Sequence, residues 1–164
     1  MEIAVRCFED KGERCRYALE QVKAVLAEET DLIAGLANAS SVLRLLLPDL
    51  NWVGFYLLRE GGLVLGPFQG KPAVSRIAAG DGVCGTAVRT GKAQLVPDVH
   101  RCCNHIACDL SSASELVLPV YAGERLYGVL DMDSPVTGHF DEDDQTGLQP
   151  VADAVGCWIS QIGA

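Results

Sequence analysis

The sequence predicts an α+β fold: an antiparallel sheet with helices packed on one face. Three observations point there. Two helix-periodic stretches lead the chain and one closes it. Between them lie short strand-like runs at hairpin spacing. Most successive strands lack the intervening helix that a parallel doubly-wound sheet requires. The chain has 164 residues and no repeat, low-complexity tract or linker, so residues 1–164 are expected to form a single domain.

The first helix is expected over residues 14–28, where Tyr17, Leu19, Val22, Val25 and Leu26 recur at steps of three and four. A second follows Thr30 or Asp31, both good N-cap types, and carries Leu32, Ile33, Leu36, Leu43 and Leu46 before Pro48 closes it. The run NWVGFYLL, rich in aromatic and β-branched residues, reads as a strand. GLVLGPFQG reads as a strand entering a turn, and Ala73–Ile77 as a short strand. Gly82–Arg89 forms a short helix of small residues ending at Gly91, and Gln94–Val96 a further short strand. Residues 98–114 form a long polar loop, which a compact domain rarely keeps without a use for it. Strands at Glu115–Tyr121 and Arg125–Asp133 are joined by Ala122-Gly123-Glu124. The final helix runs from Asp141 to Ile159, with acid in its first turn at the positive end of the helix dipole.

Composition narrows the function. Hydrophobic residues are 49% of the chain, so a packed core can form. The formal charge of -9 opposes binding to nucleic acid and to anionic membrane surfaces. No apolar run approaches the length of a membrane span, and the mixed, charged start does not read as a signal peptide. The expected compartment is the cytoplasm. Seven cysteines cannot all pair within one chain, and in a reducing compartment they serve as buried small residues, redox groups or metal ligands.

The strand Arg125–Asp133 places Asp131 and Asp133 on one face, because side chains alternate. Two like charges this close in a pocket leave one protonated or hold a cation between them; the alternative is a polar strand end entering a turn. Glu115, opening the preceding strand, joins them if the two strands form a hairpin. A small primary ammonium suits such a cluster, and a hard metal ion is the second candidate. Trp52, Gly54 and Tyr56 share a face, with Gly54 leaving space between two rings for a ligand's apolar end or a sulfur; a core aromatic pair is the other reading. Cys84 opens the small helix, where backbone N–H groups stabilise a thiolate, or it is simply a buried cysteine. Cys108 lies in the long loop beside Asp109, which raises a thiol pKa, and near His105, which offsets it. His100, Cys102, Cys103, His105 and Cys108 fall close together but match no closed zinc pattern, so no metal is expected.

Taken together, the stretches NWVGFYLL, LVLGPFQGKPA, GVCGTA, PDVH, HIACD, SELVLP, GVLDMDSP and FDEDD resemble the free methionine-(R)-sulfoxide reductases, which are single GAF domains. The resemblance implies a GAF-like fold and reduction of free L-methionine-(R)-sulfoxide to methionine. A thiolate attacks the sulfoxide sulfur while an acid protonates the oxygen, which ends as water. A sulfenic acid is resolved to a disulfide by a second cysteine, and thioredoxin restores both thiols. No cofactor is implied. By this resemblance Cys108 in HIACD is the nucleophile and Cys84 in GVCGT the resolver, although the two roles are exchangeable. Glu115, Asp131 and Asp133 match the acidic cluster that holds the substrate ammonium, one of them protonated to serve the oxygen. Trp52 and Tyr56 enclose the methyl-sulfoxide end, and backbone amides at Ile106, Ala107 and Cys108 meet the carboxylate. A homodimer is also implied.

Two departures stand out. Many members carry a cysteine in GKPAC where this chain has Val74, and Cys102 and Cys103 are additional thiols that could substitute as resolvers. The alternatives to catalysis are a GAF module that senses a small molecule without turning it over, and a metal-binding module built on the loop.

Overall fold

The computed structural model describes residues 3–101 and 111–164. The chain opens with α1 (Lys11–Leu26), capped by Asp10, whose carboxylate accepts from the Glu13 amide at 2.7 Å. Helix α2 (Leu32–Leu46) is capped in the same way by Asp31 through the Ala34 amide at 2.9 Å. Each cap satisfies an amide that the first helical turn leaves without a partner. Helix α1 begins three residues before the expected start at residue 14, because its cap lies ahead of a polar first turn.

Strands β1 (Trp52–Arg59), β2 (Gly62–Gln69) and β3 (Arg76–Ala78) follow, then α3 (Gly82–Thr90) and β4 (Gln94–Val96). A single 3-10 turn at Val99–Arg101 precedes β5 (Ser114–Ala122), β6 (Arg125–Ser134) and α4 (Glu142–Ile162). Gly91 closes α3 with φ 65°, a left-handed conformation that only glycine adopts cheaply. The expected strand at Ala73–Ile77 is shifted to Arg76–Ala78. Residues ahead of it cross the end of β1 instead, where Lys71 and Val74 offer their carbonyls to aromatic side chains.

The six strands form one sheet in the order β3-β2-β1-β6-β5-β4, every neighbouring pair antiparallel. The fold is thus the α+β architecture expected, an antiparallel sheet with packed helices. Helices α1, α2 and α4 pack on one face, against Val53, Phe55, Leu57, Leu116, Leu118, Leu130 and Met132. Helix α3 lies across the opposite face, where Val83, Cys84 and Ala87 meet Trp52, Tyr56, Val117 and Val129. The expectation of helices on one face holds for the three long ones; the fourth covers the site.

Lys11 ties the two terminal helices together, its ammonium 2.7 Å from Asp141 and 2.6 Å from Asp144. These two carboxylates also form the capping box of α4. Among the described residues, no helix is long and apolar enough to cross a membrane.

Candidate functional site

The site is written by strand alternation. Because β1 and β6 pair with Trp52 opposite Asp133 and Gly54 opposite Asp131, these residues share one face. The β5–β6 register adds Glu115 opposite Asp133 and Val117 opposite Asp131. A row of Trp52, Asp133 and Glu115 therefore crosses three strands, with Gly54, Asp131 and Val117 in the row beside it. Directly opposed side chains have Cβ atoms about 5 Å apart, so three carboxylates converge as the hairpin reading expected.

All three are out of water. Glu115 is 4% exposed, Asp131 0% and Asp133 1%. Helix α3 brings Cys84, also buried, onto the same corner. The Cys84 sulfur and one oxygen each of Glu115 and Asp131 lie within 4.8 Å of one another. Burial pushes the Asp131 carboxyl up to about 7, against the opposing effect of hydrogen bonding from Cys84, Glu115 and the Met132 amide. Those approaches fall short of ordinary geometry at Asp131, since among the described residues neither of its oxygens has a well-formed hydrogen bond. A carboxyl in that position is held as the neutral acid or by a cation that enters the pocket.

The aromatic wall lies on β1. The Trp52 and Tyr56 rings stack with centroids 5.9 Å apart, and both residues are fully buried. Their polar tips pin the connection from β2 to β3: the Trp52 indole N–H donates to the Lys71 carbonyl at 3.2 Å, and the Tyr56 hydroxyl to that of Val74 at 2.8 Å. The backbone at Val74 is thus fixed at the rim of the wall, while its side chain stays exposed.

Gly54 does not leave an open space between the rings. A Cβ there would lie 2.7 Å from the Phe68 Cα and 2.9 Å from the Pro67 carbonyl oxygen. The register of β1 against β2 shifts between Gly54 and Tyr56, and at this irregularity β2 comes too close for any side chain. Phe68 takes the space instead and stacks on Trp52 with centroids 5.2 Å apart. Sequence reasoning missed Phe68, although its place in the GPFQ stretch after a period-two run put it within reach.

Cys108, Ile106 and Ala107 lie outside the described residues, as do Cys102, Cys103 and His105. The two ends of that segment can be traced. The Val99 amide donates to the Ala113 carbonyl at 2.9 Å, and the Ala113 amide to Ser134 at 2.7 Å. The Asn51 side-chain amide donates to the hydroxyls of Ser111 at 3.3 Å and Ser112 at 3.0 Å. Asn51 immediately precedes Trp52, so the foot of the segment is fastened beside the aromatic wall. The corner assembled from described residues can hold a small cationic group against three carboxylates, present an apolar group to the aromatic rings, and offer one thiol to whatever lies between.

Comparison with known proteins gives a consistent result. The family model of the GAF domain matches residues 39–159. Protein YtsP of Bacillus subtilis (strain 168) is 49% identical over 154 residues, covering 93% of this chain and 94% of that one. The free methionine-R-sulfoxide reductase of Escherichia coli (strain K12) is 52% identical over 126 residues, 77% of this chain and 76% of that one. Among solved structures, the free methionine-R-sulfoxide reductase of Neisseria meningitidis in complex with its substrate is similar with a TM-score of 0.91 at 40% identity, covering 98% of this chain and 99% of that one.

Proposed function

This chain belongs to the free methionine-R-sulfoxide reductase family of GAF-domain proteins, and from that premise we propose that it reduces free L-methionine-(R)-sulfoxide to methionine, with residues 1–164 acting as one domain. The observation that carries the reading is the corner itself: three buried carboxylates and a thiol facing a stacked aromatic wall. The lining is complementary to a molecule bearing an ammonium at one end and a compact methyl sulfoxide at the other.

Glu115, Asp131 and Asp133 receive the ammonium, and Trp52 and Tyr56 enclose the sulfoxide end. The carboxylate meets backbone amides at Ile106 to Cys108. A methionine sulfoxide inside a polypeptide has neither charged group, so it would leave the acidic corner buried and unmatched.

In the reaction the Cys108 thiolate attacks the sulfoxide sulfur. Asp131, the carboxyl beside Cys84, gives its proton to the sulfoxide oxygen. The hydroxyl then passes from the substrate sulfur to the Cys108 sulfur, and the bond between the two sulfurs breaks with its electron pair going to methionine, which leaves Cys108 as a sulfenic acid. Cys84, as thiolate, then attacks the Cys108 sulfur. A disulfide forms and the oxygen leaves as water. The two thiols of reduced thioredoxin take up the disulfide by exchange and return both cysteines to the start. Such a cycle belongs in the reducing cytoplasm, and a homodimer is its expected assembly. Cys102 and Cys103 are the reserve resolvers in a chain that has Val74 where, by the resemblance, many family members carry a cysteine.

The test is thioredoxin-coupled consumption of NADPH on each epimer of free methionine sulfoxide. The wild type should consume the R epimer and spare the S epimer. Cys108→Ser should abolish consumption. Cys84→Ser combined with replacement of Cys102 and Cys103 by serine should stop turnover while a single equivalent of methionine still forms. A wild type that consumes neither epimer overturns the reading.

A further inference from the structure

We propose that Cys84, Glu115 and Asp131 form a binding site for a thiophilic divalent cation of the zinc class. Three rigid elements supply the donors: Cys84 stands in the first turn of α3, Glu115 on β5 and Asp131 on β6. Their sulfur and two oxygens all lie within 4.8 Å of one another. A tetrahedral zinc ion with ordinary bond lengths sets a sulfur and an oxygen about 3.5 Å apart, so small side-chain rotations close the remaining gap.

A second observation points to a ligand independently of that spacing. Asp131 is completely buried, and neither of its oxygens has a well-formed hydrogen bond among the described residues. A dication supplies the missing partner directly. The donor chemistry selects the class of ion. Magnesium and calcium prefer all-oxygen cages, whereas one thiolate with two carboxylates suits zinc or cadmium. Three anionic donors around a dication leave one negative charge and a fourth position for water.

The ion would occupy the place assigned above to the substrate ammonium and would engage the resolving thiol. It is therefore expected to compete with free methionine sulfoxide. That competition rests on the proposed function, whereas the binding rests on the geometry alone.

The experiment is a cadmium titration of the fully reduced, full-length protein without substrate or thioredoxin, following the ultraviolet band of thiolate-to-cadmium charge transfer. Zinc is then added to displace it. One equivalent should bind. Cys84→Ser should remove that equivalent, and Asp131→Asn should weaken it at least about 100-fold, with circular dichroism reporting that each variant folds. A band that survives Cys84→Ser overturns the site; if it then vanishes on replacing Cys102 and Cys103, the metal belongs to those cysteines. Absence of any stoichiometric band overturns it too, and leaves the reductase assay to stand by itself. If cadmium binds as expected but free methionine sulfoxide fails to displace it, the cation site holds and the ammonium assignment falls.

Discussion

The two faces of the sheet use the same strands for opposite purposes. On β6, Leu130 and Met132 point to the helical face, where they are fully buried among aliphatic neighbours from α1, α2 and α4. Asp131 and Asp133, interleaved with them, point to the face under α3 and are equally dry. The first face gains stability from every side chain removed from water. The second gives some of it up, because burying a carboxylate costs free energy unless a partner compensates it. What separates the aliphatic core from the acidic corner here is a one-residue alternation along a single strand.

The largest test of that division exchanges a carboxyl for its neutral isostere. Asp131→Asn should lower kcat/KM for free methionine sulfoxide by about 100-fold or more, the usual range for a lost general acid. Its thermal unfolding midpoint should stay the same or rise, since a buried ionisable group has been removed. A variant that loses stability together with activity would show that Asp131 serves the fold.

The converse change lies one residue away. Leu130→Ala should cost about 2–5 kcal/mol in urea unfolding, the range for a buried leucine. In the fraction that remains folded, kcat/KM should move by no more than a few-fold. A selective loss of activity at undiminished stability would blur the two faces.

The smallest effect is expected far from either face, at the tie between the terminal helices. The Lys11 ammonium beside Asp141 holds its carboxyl down at about 2, below the usual carboxylate range. A carboxyl depressed in the folded state adds stability above its unfolded pKa, and that contribution is lost as pH falls toward 2. The Asp141 side chain is about half exposed, 53%, so solvent screening limits the pair. Asp141→Asn keeps the helix cap and should cost under about 1 kcal/mol at neutral pH. The difference from wild type should vanish as pH is lowered from 4 to 2. An equal difference across that range, followed by chemical denaturation, would mean that the cap and not the ion pair is responsible.

Much of the site could be read from residue order. Glu115 was expected beside Asp133 because a short Gly-containing turn joins two alternating strands, and the register pairs them directly. The caps at Asp31 and Gly91 were legible for a similar reason, since their preferences act within a few residues. Gly54 was misread because a neighbouring strand fills its space, and Phe68 was missed with it. The β3 shift has the same origin: Trp52 and Tyr56 capture the Lys71 and Val74 carbonyls from across the sheet.

By itself, the order of amino acids determined the element types, the antiparallel class, and which strand residues would share a face, since period and turn chemistry are local properties. Only the tertiary structure decided that α3 crosses the acidic face and sets Cys84 against Asp131, and that the carboxyl there is pushed up to about 7. Those outcomes depend on burial and on close approach between residues dozens of positions apart. Loss of water is a property of the assembled molecule, and no single segment of the chain carries it.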